Sequence, residues 1–230
     1  MMASILDHLD RLAAKHPDKL LYSFLDVNGY PTESYTYASF LHRAQAIAGH
    51  LRKEGRFAVG DRLLLAYPPG LEMICAFFGC VRAGLIPVPV YPPSSRGFQS
   101  ALYKMVHIAK DCQAAGILTS RDYHASLKTN LARSGVSASG VDVEYISGLP
   151  WIPTENFVDT IWDRPAVESS QISKILFLQY TSGSTMEPKG VIVTHENILS
   201  TYSLVIDHPA PVVVSWLPQY HDMGLIGTYL

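Results

Sequence analysis

The sequence predicts an α/β fold, mostly parallel sheet flanked by helices, and three observations carry that expectation. Short apolar runs such as "DRLLLAYPP", "AGILTS" and "KILFLQY" alternate with helix-patterned stretches, as strands joined by right-handed helical crossovers do. An Asn-Gly pair, Asn28-Gly29, lies between two runs of β-forming residues and marks an early hairpin. The strand "KILFLQY" then runs straight into "TSGSTMEPKG", a loop of hydroxyls and glycines with one late lysine.

The first element is a helix capped by Ser4, with Ile5, Leu6, Leu9 and Leu12 at helical spacing. The hairpin "LLYSFLDVNGYPTESYTY" follows. Helical patterning returns from Ala38 to Glu54, with Phe40, Leu41, Ala44, Ile47, Ala48 and Leu51 on one side and Gly55 as the stop. "DRLLLAYPP" is a strand, and "GLEMICAFFGCVRAG" is a buried helix ending at Gly84. "LIPVPVYPP" is extended, although Pro87 and Pro89 argue against a regular central strand. "SALYKMVHIAKDC" is a helix, "AGILTS" a strand, "RDYHASLKTNLARSG" a helix and "VDVEYIS" a strand. Residues 148–173, rich in Pro, Asn, Asp, Trp and Ser, read as a long connector before "KILFLQY".

Composition narrows the function classes. With 230 residues, 48% of them apolar and 17% charged, the chain can bury a substantial core. Its net charge of −2 is scattered, which gives no electrostatic grip on nucleic acid or an anionic membrane. Cys75, Cys80 and Cys112 lack a metal-type spacing and favour a reducing compartment. The first residues have no continuous apolar core of a signal peptide, and the apolar runs are too short for a membrane span. A soluble, cytoplasmic protein is the expectation.

The hydroxyl loop is built for an anion, but not in the commonest pattern. Counting from Gly183, a Walker loop needs glycine where Pro188 stands, and Ser or Thr where Gly190 follows Lys189. Neither a dinucleotide fingerprint nor a nucleophile elbow fits here either. A strand still delivers Thr181, Ser182, Ser184 and Thr185 to a tight turn. Gly183 lets backbone N–H groups approach a ligand, and Lys189 adds a cation. A plain surface loop between two strands accounts for the same residues.

At this point the sequence resembles a known family. "YTSGSTMEPKGV" is similar to the phosphate-binding signature of adenylate-forming enzymes. "THENIL" and "SWLPQYHDMGLIG" follow in the family's order. The wording of "VPVYPP" and "PQYHDMGLIG" is most like the N-terminal part of fatty acyl-AMP ligases. The resemblance implies that a fatty acid carboxylate attacks the α-phosphate of ATP, giving acyl-AMP and pyrophosphate. The acyl group would then pass to a carrier-protein thiol, on an acyl carrier protein or a polyketide synthase carrier domain; close relatives use coenzyme A.

The resemblance also assigns roles. Thr181, Ser182, Gly183, Ser184, Thr185 and Lys189 would contact the ATP phosphates, with Lys189 neutralising charge. Mg2+ is implied, with Thr181 as the hydroxyl nearest it. His221 would orient the substrate carboxylate and α-phosphate at the end of an apolar strand "VVVSWLP"; a packed structural histidine is the other reading. Met223, Leu225 and Ile226 would line an acyl tunnel or equally serve as core. Asp222 and Thr194 are read as helix caps, Thr194 with Asn197 at the third helical position. Residues 1–147 would be a first α/β portion, 148–173 a connector and 174–230 the phosphate-loop portion of an incomplete N-terminal domain, with the C-terminal domain absent. The ending "LIGTYL" reads as a truncation, so these 230 residues alone are expected to be inactive and prone to self-association; a fatty acyl-CoA ligase fragment and a truncated, non-catalytic paralogue acting as a binding partner are the alternatives.

Overall fold

Ser4 caps the first helix, α1 (Ile5–Lys15): its hydroxyl accepts from the Asp7 amide at 3.1 Å while the Asp7 carboxylate accepts from the Ser4 amide. The structure is a computed structural model, which describes residues 4–53, 55–94, 97–134, 142–157, 173–181, 188–205 and 212–230, less the side chains of residues 134 and 202–205. The hairpin forms as expected from β1 (Leu20–Leu25) and β2 (Pro31–Thr36), paired antiparallel. Its turn is organised by a residue the Asn-Gly pair does not reveal. The Asp26 carboxylate accepts from the Asn28 and Tyr30 amides at 2.8 and 2.9 Å, and Gly29 sits at φ 84°, which only glycine adopts freely.

Helix α2 (Tyr37–Lys53) leads into a parallel four-stranded sheet of β3 (Arg62–Ala66), β4 (Ile86–Pro89), β5 (Gly116–Thr119) and β6 (Trp151–Pro153). The strand order is β4-β3-β5-β6. The crossovers carry α3 (Glu72–Arg82), α4 (Phe98–Asp111), α5 (Arg121–Ser134) and α6 (Val143–Ser147). Strand β3 explains why "RLLLA" reads as a continuous apolar run. Leu63 and Leu65 pack with α1, α2 and α3 on one face, while Leu64 and Ala66 pack with α4 on the other. Helix α3 has no side-chain cap, a lack worth about 1 kcal/mol. Fully burying Ile74 and Phe77 returns about 2 kcal/mol each, so packing decides that helix.

Three expectations from the sequence are corrected. "VDVEYIS" is not a strand: Asp142 caps helix α6 by accepting from the Tyr145 amide, and Ile146 is buried beneath it. The place beside β5 goes instead to Trp151–Pro153, inside the stretch read as connector. "VVVSWLP" forms no strand either. Val212, Val214 and Trp216 are exposed, and no described strand lies beside them to complete a ladder. Pro87 and Pro89 are accommodated because β4 bonds to β3 through Ile86 and Val90, whose amides donate to Asp61 and Leu65. The prolines fall between these donors, where the missing N–H would face away from β3.

Strands β7 (Ile175–Thr181) and β8 (Lys189–Thr194) pair antiparallel, with β7 lying beside β4. Helix α7 (His195–Val205) starts with the expected cap, Thr194 and Asn197 exchanging amide-to-side-chain bonds at 2.9 and 3.1 Å. The chain ends in a short helix, α8 (Asp222–Gly224), continued by a π-helical turn over Leu225–Tyr229. Cys75, Cys80 and Cys112 are buried and unpaired by disulfides; burial pushes the Cys112 thiol up to about 12, consistent with packing roles. No helix among the described residues is long and apolar enough to cross a membrane.

Candidate active site

The site grows from the carboxyl end of β7. Phe177 anchors the strand in the core against Phe77, with ring centroids 5.4 Å apart. On the other face the Tyr180 hydroxyl donates to the Asp111 carboxylate at the end of α4. Burial, reinforced by that bond, pushes the Tyr180 phenol up, so it remains a donor at neutral pH. Its ring lies so close to Gly190 that a Cβ there would meet a ring carbon at 2.9 Å. The glycine that breaks the Walker pattern thus lets the returning strand cross Tyr180.

Thr181 and Lys189 are the last register partners before the connection between β7 and β8, and both are exposed. Ser182, Gly183, Ser184 and Thr185 lie outside the described residues. Among the described residues no three His, Cys, Asp or Glu side chains come together as a metal cage. Thr181, the hydroxyl expected nearest Mg2+, is the last residue of β7 and is exposed.

The second part is the turn Pro218–His221. The His221 amide donates to the Pro218 carbonyl at 3.1 Å, and the His221 carbonyl accepts from the Leu225 amide at 2.8 Å. Gly224 packs against this turn so tightly that a Cβ would sit 2.1 Å from the Pro218 carbonyl oxygen. Gln219, buried, accepts from the Gly70 amide at 2.9 Å and donates to the Tyr229 hydroxyl at 3.0 Å. Tyr220 meets Tyr91 edge-on at 5.2 Å, and the Gln179 amide donates to the Tyr220 carbonyl at 3.2 Å. The turn therefore rests against the carboxyl ends of β3, β4 and β7, where ligands enter open α/β sheets.

His221 is exposed, with Nδ1 2.5 Å from the Asp222 carboxylate. That answers the packed-core reading, since the ring faces solvent. His221, not Asp222, occupies the cap position of α8; Asp222 is the first helical residue, and its carboxylate accepts from the Met223 amide at 2.7 Å. Met223 is 64% exposed, whereas Leu225 is fully buried in the main core and Ile226 packs against it. Sequence reasoning missed Gln179, Gln219 and Tyr91. A glutamine inside the apolar "ILFLQY" was the available signal, because a buried amide needs partners.

The AMP-binding enzyme family matches residues 9–230. The chain belongs to that family. Among relatives of this AMP-binding chain, the medium-chain-fatty-acid–[acyl-carrier-protein] ligase JamA of Moorena producens is 31% identical over 97% of the chain and 37% of the relative. The long-chain-fatty-acid–AMP ligase FadD32 of Mycolicibacterium smegmatis is 33% identical over 99% of the chain and 35% of the relative. A fatty acyl-adenylate ligase from L. pneumophila, solved with acyl adenylate and pyrophosphate, superposes with a TM-score of 0.77. It is 34% identical, over 97% of this chain and 37% of that one. The chain thus spans little more than a third of the length of these relatives, and its fold is that of their N-terminal domain.

Proposed function

We propose that the full gene product activates a fatty acid with ATP, forming acyl-AMP and releasing pyrophosphate, and then hands the acyl group to a carrier-protein thiol. The observation that carries this reading is the convergence of the Thr181–Lys189 pair and the His221 turn on the end of β7. Adenylation needs positioning and charge neutralisation more than proton transfer, because a carboxylate is already a nucleophile. Lys189 and the loop hydroxyls would hold ATP phosphates, bringing Mg2+ with the nucleotide. His221, exposed beside that loop's strand, would orient the carboxylate. The 230 residues by themselves would not complete the reaction.

The test is pyrophosphate release, or hydroxamate capture of the acyl adenylate, with ATP and a long-chain acid. Release that depends on the acid supports the reading; an acid-independent or absent signal from the full gene product overturns it. A second reading, transfer to coenzyme A, has one observation in its favour. A putative fatty-acid–CoA ligase, FadD21 of Mycobacterium tuberculosis, is 27% identical over 97% of the chain and 38% of the relative. Supplying coenzyme A or a phosphopantetheinylated carrier protein to the preformed acyl adenylate separates the two.

A further inference from the structure

The side-chain amide of Gln179 lies between two peptide carbonyls, and each immediately precedes a residue of the candidate site. Nε2 donates to the Tyr220 carbonyl at 3.2 Å, next to His221, and to the Tyr180 carbonyl at 3.4 Å, next to Thr181. Only the NH2 end of an amide can donate twice, so these two carbonyls fix the orientation of the side chain. Gln179 is 5% exposed, yet its Oε1 has no partner among the described residues. An apolar residue would fill the same space in this apolar strand without leaving an unmet acceptor. Packing therefore does not account for glutamine here; what its Nε2 holds together does.

We propose that Gln179 is a positioning residue that couples the root of the phosphate loop to the His221 turn, so that the ATP and carboxylate subsites are aligned by one amide. The inference rests on the adenylation reading above. The turn has a second, independent hold: Gln219 ties it to the Gly70 amide and the Tyr229 hydroxyl. Loss of Gln179 therefore loosens the alignment of two subsites without releasing the turn from the fold. A residue that served stability alone would have the opposite signature, a weaker fold with ordinary kinetics.

The experiment is steady-state pyrophosphate release by the full gene product, with kcat and both KM values determined for wild type, Gln179→Met and Gln179→Glu. Methionine keeps the length and removes the donor. The KM for ATP and the KM for the fatty acid should both rise about tenfold, the worth of one hydrogen bond, with no loss of resistance to urea. Glutamate donates only when protonated, so both KM values of Gln179→Glu should fall toward wild type as pH is lowered, beyond any change in the wild-type profile. Wild type lacking acid-dependent release overturns the adenylation reading and this inference with it. Active wild type with Gln179→Met unchanged, or with only one KM raised, overturns the coupling alone. Should Gln179→Met fail to fold, a pH-independent defect in Gln179→Glu overturns it equally.

Discussion

At Lys189 an exposed ammonium opens β8 opposite Thr181, so its charge is available to a ligand and contributes little to packing. In the full gene product, Lys189→Ala should lower kcat/KM for ATP about 10- to 100-fold, as loss of a charge-assisted phosphate contact does. The urea midpoint should stay where it is; an unchanged ATP dependence would remove Lys189 from the site. Gly224 carries the opposite kind of constraint. A methyl group there would meet the Pro218 carbonyl oxygen at 2.1 Å, and a backbone atom cannot step aside as a flexible side chain can. Gly224→Ala should cost about 1–3 kcal/mol of unfolding free energy by overpacking, measured by urea titration. His195 is wholly buried, with Nδ1 accepting from the Ile5 amide at 3.3 Å and Nε2 without a partner among the described residues. Burial lowers its pKa below 6.5, with Asp7 opposing, and burial plus Lys128 lower that of His124 in the same direction. A depressed folded-state value means that the unfolded chain binds protons first as the solution is acidified. The neutral imidazole's contribution is thus complete above 6.5 and is lost as pH falls through the folded value. Stability should fall as pH drops below about 6.5, and His195→Asn, which keeps an acceptor, should show a shallower slope. Equal slopes would assign the drop to other groups.

At the scale of elements, one side chain joins two helices to the segment that follows the last strand of the sheet. Arg43 on α2 bonds the Glu72 carboxylate of α3 at 2.6 and 3.3 Å and the carbonyls of Thr154 and Phe157 at 3.0 Å each. The pair is largely buried, with side chains 11% and 21% exposed. Arg43→Ala leaves Glu72 desolvated without its cation and should cost about 3 kcal/mol, read from chemical denaturation. A loss below about 1 kcal/mol would place the pair among weak surface bridges instead. These bonds also explain what the sequence could and could not disclose. Strands β3, β5 and β7 were legible because burial on both faces writes itself as continuous apolar residues. Strand β6 was not: its three residues include a proline, and it exists because β5 offers a free edge, with Arg43 holding the following turn. The reading of "VDVEYIS" failed for a related reason. Val143, Tyr145 and the buried Ile146 suit a strand pattern, but the Asp142 cap and its ion pair with Lys110 at 2.6 Å favour a helical turn. Of the candidate site residues, Thr181, Lys189 and His221 were named through the resemblance to a family signature, whereas the bonds from Gln179 to the Tyr220 carbonyl and from the Gly70 amide to Gln219 join residues far apart in the chain that only the fold brings near.

At the scale of the whole molecule, the covered and uncovered apolar surfaces are unevenly distributed. The core around α3 is closed, with every residue from Met73 to Arg82 buried, and Arg82 neutralised by Asp10. On the other side of the molecule's sequence, Val212, Val213, Val214 and Trp216 are exposed, Trp216 by 90%. Strand β8 adds Val191 and Ile192 on an outer edge that no other described strand pairs with. Exposed apolar side chains beside unpaired backbone donors and acceptors are a template for association, because each new strand satisfies the edge and removes the side chains from water. The 230-residue chain, 25.4 kDa, should therefore elute ahead of a monomer of its mass in size-exclusion chromatography, increasingly so at higher concentration. Placing charge on the two surfaces, with Val214→Lys and Ile192→Lys together, should shift elution toward the monomer while leaving the melting transition in place, since neither side chain is part of the core. A concentration-independent monomer peak from the unmodified chain would show that these surfaces do not drive association.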